Sequence, residues 1–294
     1  METSPAVKRP ARRRKSTSVR IASLHLALLR GYFGLLGRAS PRAAERQAAL
    51  LFCFPRRLEH RDVPRVPAHA REQLVSSGSR RLAAWTWGEG PRVLLAHGWE
   101  GTARDMVPIA NALVPHGRSV TVFDMPAHGR STGRTTTLIE MADALAAVAR
   151  ETGAPDAVVG HSLGAAAAVL ALRDGLPASS TALLAPVAEP WLFLQRMAEM
   201  LAFSDARYHG LVAALERRAG VAIHNIDGVA AARTLDARAL ILHDPADRQV
   251  PFSQGETLAN AWRGATLHPV TGLGHRRVLY DADAVQRVVR HLIG

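Results

Sequence analysis

Ser162 stands in Gly160-His161-Ser162-Leu163-Gly164, between the apolar run Ala157-Val158-Val159 and the Ala-rich stretch 165–170. A serine hydroxyl is a poor nucleophile near neutral pH, so it needs a base beside it and a backbone that holds it exposed. A strand, a tight turn with glycine at both ends and a helix would supply the backbone, with the amides at the helix start facing the reacting oxygen. For the base, His275 lies in Thr271-Gly272-Leu273-Gly274-His275. Such a Gly-rich loop can carry a general base to the serine, and histidine's ordinary pKa of about 6.5 lets it take and return a proton near neutrality. Two carboxylates, Asp244 and Asp247, follow the apolar run 239–242. Either could orient the imidazole and stabilise its charged form.

With its flanking strand and helix, the Ser162 stretch resembles the nucleophile elbow of the α/β-hydrolase family. Three further stretches, each after a strand-like run, resemble the same family. His97-Gly98-Trp99-Glu100-Gly101 is similar to its His-Gly-x-x-Gly loop. That likeness implies that the backbone amides of Trp99 and Leu163 bind an oxyanion, each such donor being worth on the order of 3 kcal/mol by deletion; His97 itself is expected to be structural. Asp124-Met125-Pro126-Ala127-His128-Gly129-Arg130-Ser131 looks like the family's Asp-x-Pro-Gly-His-Gly-x-Ser stretch, with Ala127 in place of glycine. The resemblance gives Asp124 and His128 no catalytic role. Asp247 matches the acid of the family's Gly-x-x-Asp-x-x-Val-Pro pattern, which favours it over Asp244. The order Ser162, Asp247, His275 is also the family's order, and it sets His275 apart among thirteen histidines.

The resemblance therefore implies a capped, esterase- or lipase-like serine hydrolase acting on a small-molecule ester or thioester, with no metal or organic cofactor. Members that open epoxides or remove halides use Asp as nucleophile, so Ser162 disfavours those activities. Two alternatives stay open: an acyltransferase using the same triad, and a non-enzymatic interaction protein that kept the fold.

These residues need a scaffold, and the chain supplies its pattern. Apolar runs at 93–96, 120–123, 157–159, 182–185, 239–242 and 265–268 alternate with helical stretches. The expected fold class is α/β: a mostly parallel twisted sheet with helices on both faces, a helical cap insertion and an N-terminal helical extension. Residues 82–87 read as a strand, and Gly88-Glu89-Gly90-Pro91 after it suggests a hairpin. Three helix-like stretches, 191–203, 208–218 and 226–235, interrupt the alternation where the family inserts a cap. With the cap at about 187–236, Trp99, Met125, Trp191, Phe193 and Met197 are the candidate pocket walls.

At 294 residues the chain suits one large domain, 81–294, preceded by an extension. One cysteine, Cys53, excludes an intramolecular disulfide framework and a Cys-based metal site. Residues 1–81 hold 18 of the 37 basic residues but only 5 of the 25 acidic ones, so the +12 net charge belongs to the arm. The body lacks the field of a nucleic-acid groove, and nucleic acid is a disfavoured partner. Residues 1–20 read as a basic disordered tail and 21–80 as a helical, wrapping extension. In it, Ile21, Leu24, Leu28, Tyr32 and Leu35 recur at helical spacing, as in a helix that packs on the body or makes weak contact with a membrane surface. A second helix is expected over 43–52, followed by a Pro- and Arg-rich linker without recognisable chemistry. The basic start and apolar run also resemble a signal peptide, but His25 and Arg30 interrupt it and it is too short to span a bilayer. The expected compartment is the cytoplasm, with peripheral membrane contact as an alternative and secretion a less favoured one. Oligomeric state is left open.

Overall fold

A computed structural model describes residues 17–57 and 64–294. The basic tail expected at the N-terminus lies, through residue 16, outside the described residues. The chain opens with two helices, α1 (Thr17–Ala39) and α2 (Pro41–Phe52), then a hairpin of β1 (Arg71–Ser77) and β2 (Arg80–Trp87). The alternating part follows as β3 (Arg92–Ala96), α3 (Val107–Leu113), β4 (Ser119–Phe123), α4 (Leu138–Thr152), β5 (Ala157–His161), α5 (Leu163–Arg173) and β6 (Ser180–Leu184). Three helices then interrupt it, α6 (Trp191–Met200), α7 (Asp205–Ala219) and α8 (Gly228–Ala232). The chain closes with β7 (Arg238–His243), α9 (Phe252–Ala261), β8 (Ala265–Pro269), α10 (Gly274–Arg277) and α11 (Ala282–Ile293).

The eight strands form one sheet in the order β1-β2-β4-β3-β5-β6-β7-β8. β3 to β8 are mutually parallel, and the β1–β2 hairpin adds antiparallel to β4. Because successive side chains of a strand point to opposite faces, Val93 and Leu95 enter one core layer, under α3 and α11. Leu94 and Ala96 enter the other, under α4, α5 and α9. Both faces are thus covered, which is why these strands are apolar throughout rather than alternating.

The turn at 88–91 does not make the expected hairpin. Both edges of β3 are taken by parallel partners, β4 and β5, so β2 has no place beside it. The hairpin turn lies earlier, at Gly78, where φ is +56°. The two glycines at 88 and 90 serve a close crossing instead: a Cβ on either would fall 2.4 Å from the Arg118 carbonyl oxygen or 2.2 Å from that of Gly117.

The extension and the cap share a third core. Phe33 of α1 and Ala44, Ala48 and Ala49 of α2 are buried with Leu194, Met197 and Leu201 of the α6 region and Leu211 and Ala214 of α7. Small residues on α2 let it approach α7 closely. Beyond α2 the chain is strapped to the sheet's upper loops. The Arg57 guanidinium donates to the carbonyls of Gly129, Ser131 and Gly133, and the Cys53 carbonyl accepts from the Thr136 amide.

Candidate active site

β5 ends and α5 begins at Ser162, whose backbone (φ 54°, ψ −121°) lies where non-glycine residues are strained. Packing makes that turn obligatory. A Cβ at Gly164 would sit 2.2 Å from the His97 carbonyl oxygen, and one at Gly160 would sit 2.5 Å from Ala165 Cα. Without side chains there, α5 closes onto β5 and the loop after β3. The Ser162 amide donates to the Leu184 carbonyl at 3.0 Å, fixing the turn to the neighbouring strand.

Ser162 Oγ lies 3.0 Å from His275 Nε2, and His275 Nδ1 lies 2.7 Å from Asp247 Oδ2. With Nδ1–H donating to the carboxylate, Nε2 is left to accept the serine proton. Ser162 is 8% exposed, so the three side chains form a sheltered chain with one open end. Asp247 follows β7, and its other oxygen accepts the amides of Gln249 (2.7 Å) and Val250 (3.1 Å). Burial pushes this carboxyl up, but the hydrogen bonds from His243, His275 and the Gln249 amide outweigh it and hold it well below the ordinary carboxylate range. His243 Nε2–H stands 3.1 Å from the Val250 carbonyl and 3.5 Å from Asp247 Oδ2, a partner that sequence reasoning missed.

Asp244 has a different place. Its carboxylate accepts the Gly274 and Ala246 amides and thus holds the main chain that carries His275. His161, the variable residue of the elbow, supports the same segment: its Nε2–H donates to the His275 carbonyl at 2.9 Å. Burial and then the neighbouring His275 ring lower the His161 imidazole to about 3, so it is neutral near pH 7. A third brace was also not anticipated. Buried Asp105 accepts from Arg276 Nη2 (2.7 Å), the Tyr280 hydroxyl (2.8 Å) and the Thr102 amide (2.8 Å), tying the residue after His275 to the β3 side of the sheet. No local sequence signal marks the His161 and Asp105 braces, because the residues they hold near His275 lie more than a hundred residues away.

The loop 97–101 runs against the serine: a Cβ on Gly98 would come within 2.9 Å of Ser162 Cβ. His97 sits beneath it, with Nδ1–H donating to the Gly98 carbonyl (2.7 Å) and Nε2 accepting the Met125 amide (2.9 Å). Leu163 heads α5, where the first amides have no carbonyl of their own helix to meet. Asp124 accepts the Ala103 and Arg130 amides at 2.8 and 2.7 Å. His128 donates from Nδ1 to Pro126 and accepts the Glu100 amide, and burial lowers it to about 3. Both organise loops.

Above Ser162 lies a cavity of about 610 Å³. Trp99, Trp191, Phe193 and Met197 line it. Met125 does not: it directly follows β4, and its side chain is fully buried in the core cluster that includes α4 and α5. A wall that sequence reasoning missed comes from the extension. Leu51, Phe52, Cys53, Phe54 and Arg56 line the cavity, and Arg56 forms a two-pronged ion pair with Glu100, at 2.8 and 2.9 Å. The only sequence sign was the apolar run that ends α2. Among the described residues, no group of three or more His, Cys, Asp or Glu side chains is placed to hold a metal ion.

The family description "Alpha/beta hydrolase family" matches residues 93–291. The chain belongs to the α/β-hydrolase family. Over 153 residues it is 33% identical to an uncharacterized protein of Mycobacterium tuberculosis, a match covering 45% of this chain and 54% of that one. The chain thus spans about half the length of the curated relatives it matches. Among solved α/β-hydrolase-like structures it is similar to Est1E of Butyrivibrio proteoclasticus with ferulic acid bound (TM-score 0.60, 18% identity, 74% of this chain and 96% of that one). It is likewise similar to an esterase of Exiguobacterium antarcticum (TM-score 0.59, 16% identity, 76% and 100%). A bromoperoxidase of Bacillus anthracis aligns equally well (TM-score 0.58, 15% identity, 76% and 99%). At such identities the likeness is one of α/β-hydrolase fold, so chemistry has to be argued from the site.

Proposed function

We propose that this α/β-hydrolase is a serine hydrolase that cleaves a carboxylic ester or thioester through an acyl-enzyme. The observation that carries the reading is the unbroken chain from Ser162 Oγ through His275 to Asp247, at 3.0 and 2.7 Å, beneath a largely apolar cavity. Ser162 Oγ attacks the carbonyl carbon as its proton passes to His275 Nε2, and Asp247 holds the imidazolium that forms. The carbonyl oxygen becomes an oxyanion, which the Trp99 and Leu163 amides bind. The carbon–oxygen or carbon–sulfur bond then breaks, and the leaving group takes the proton from His275. Water, deprotonated by the same nitrogen, attacks the acyl-enzyme, releases the acid and returns the proton to Ser162.

The test is labelling by a fluorophosphonate, followed by turnover of p-nitrophenyl esters of increasing chain length. Ser162→Ala is expected to fold, to lose labelling and to lose turnover by roughly ten-thousandfold or more. Unchanged turnover in that variant would falsify the reading. Added alcohol, amine or thiol acceptors separate hydrolysis from acyl transfer through the same intermediate. A folded wild-type protein that neither labels nor turns over ester would favour a binding role.

A further inference from the structure

α1 is apolar on two opposite sides, and only one is covered. At about 100° per residue, Leu24, Leu28 and Leu35 fall within about 40° of one another. These are among the residues whose spacing suggested a face that packs on the body or touches a membrane surface, and they are 61%, 63% and 68% exposed. The buried side is the reverse one. There Phe33 meets the Phe203 ring at 5.7 Å, and a Cβ on Gly37 would collide with the Arg207 guanidinium. A surface helix ordinarily turns polar residues outward, so an open leucine stripe signals a surface that something covers.

The helix that carries the stripe runs beside the mouth of the cavity. Leu51 at the end of α2, Phe54 just beyond it and Met200 at the end of α6 line the cavity, yet each is more than two-fifths exposed. They form its apolar rim. Arg30 of α1 donates to the Met200 carbonyl at 2.7 Å, and Tyr32 bonds Gln47 of α2, so α1 lies alongside that rim.

Charge decides what fits. Residues 17–57 contain seven arginines and one acidic residue, Glu45, and residues 1–16 add six more basic residues against Glu2. Arg30, Arg38, Arg42 and Arg46 are exposed, and Arg38 falls on the leucine stripe itself. A second copy docked face to face would bring arginines against arginines. Leucines flanked by arginines suit an anionic bilayer, with the side chains in the acyl region and the guanidinium groups at the headgroups.

We propose that α1, with the ends of α2 and α6, docks on an anionic lipid membrane and seats the cavity mouth at the bilayer. The substrate class is then an ester with a long apolar acyl chain that partitions into the membrane. The substrate statement rests on the hydrolase reading above; the docking statement does not. No described helix is long and apolar enough to cross a membrane, so the contact is interfacial.

The test is co-sedimentation of the full chain with phosphatidylglycerol-containing vesicles and with phosphatidylcholine vesicles, at low and high salt. Wild type is expected to bind the anionic vesicles and to be released by salt. Leu24→Ser/Leu28→Ser/Leu35→Ser is expected to lose binding by about tenfold or more, with turnover of a soluble short-chain ester unchanged and turnover of a vesicle-embedded long-chain ester reduced. Arg38→Glu/Arg42→Glu, a pair of exposed changes, should weaken vesicle binding in the same way. Equal sedimentation of wild type and both variants overturns the docking proposal. Leucine-dependent self-association on size-exclusion chromatography without vesicle binding overturns it too, in favour of a second copy. Ser162→Ala should still bind vesicles, so failure of the catalytic reading is seen separately, as absent turnover with intact binding.

Discussion

Asp244 and Asp247 stand three residues apart after the same strand, and their surroundings divide the work between them. Asp247 meets the His275 ring, whereas Asp244 meets only main-chain amides, one of them on the residue before His275. Asp247→Asn would present an amide N–H to Nδ1, move the ring proton to Nε2 and leave no acceptor for the Ser162 hydroxyl. A loss in kcat on the order of ten-thousandfold is expected. Asp244→Asn keeps the tautomer and only loosens the segment, so a loss of about tenfold is expected. Steady-state kinetics on one soluble ester check both, and equal losses would show that the division is wrong.

At the scale of elements, the helical layer over the site is made by two parts of the chain far apart in sequence. α2 meets α7 through Ala44 and Ala48, both fully buried, and Gly210 of α7 faces the Glu45 carboxylate at a distance that leaves no room for a Cβ. Ala48→Leu would force these helices apart. We expect it to destabilise the protein by about 1–3 kcal/mol, read as a lower urea midpoint. Because α6 and the end of α2 both line the cavity, the same variant should broaden the preference for acyl chain length. A stability loss without any change in that preference would mean that the α2–α7 contact does not shape the pocket.

For the whole molecule, buried neutral histidines couple folding to pH. His128 and His161 are lowered to about 3 in the folded state, against an ordinary value of about 6.5 in the unfolded chain. Between those values the unfolded chain binds more protons, so the stability that each contributes is complete above about 6.5 and is lost as pH falls toward 3. From pH 7 to pH 5 each should cost about 2 kcal/mol. The depressed carboxyls of Asp105 and Asp247 lose their contribution only at lower pH, below the ordinary carboxylate range. Asp124, whose carboxyl burial raises from its ordinary value, acts with the opposite sign. Urea unfolding at the two pH values should therefore show a lower midpoint at pH 5, with the difference smaller in His161→Gln. An undiminished difference in that variant would remove His161 from the account.

What the sequence determined by itself is what short-range patterns can encode. The apolar runs and the glycines around Ser162 were readable because a strand or an elbow is specified locally, whereas the choice of Asp247 and the order Ser162, Asp247, His275 were implied by the resemblance to the family. The helices of the cap and the parallel sheet followed from the same periodicities. Tertiary structure alone decided the rest. β2 pairs with β4 because β3 has no free edge, and Met125 points into the core rather than the cavity because of where β4 ends. The leucine side of α1 stays open because Phe33 and Gly37 on the other side meet the cap. His161 and Asp105 brace the His275 segment from more than a hundred residues away, and the extension that walls the cavity is likewise brought to it only by the fold. Periodicity carries no information about which distant surfaces will meet; packing and loop closure settle that only once the whole chain is in place.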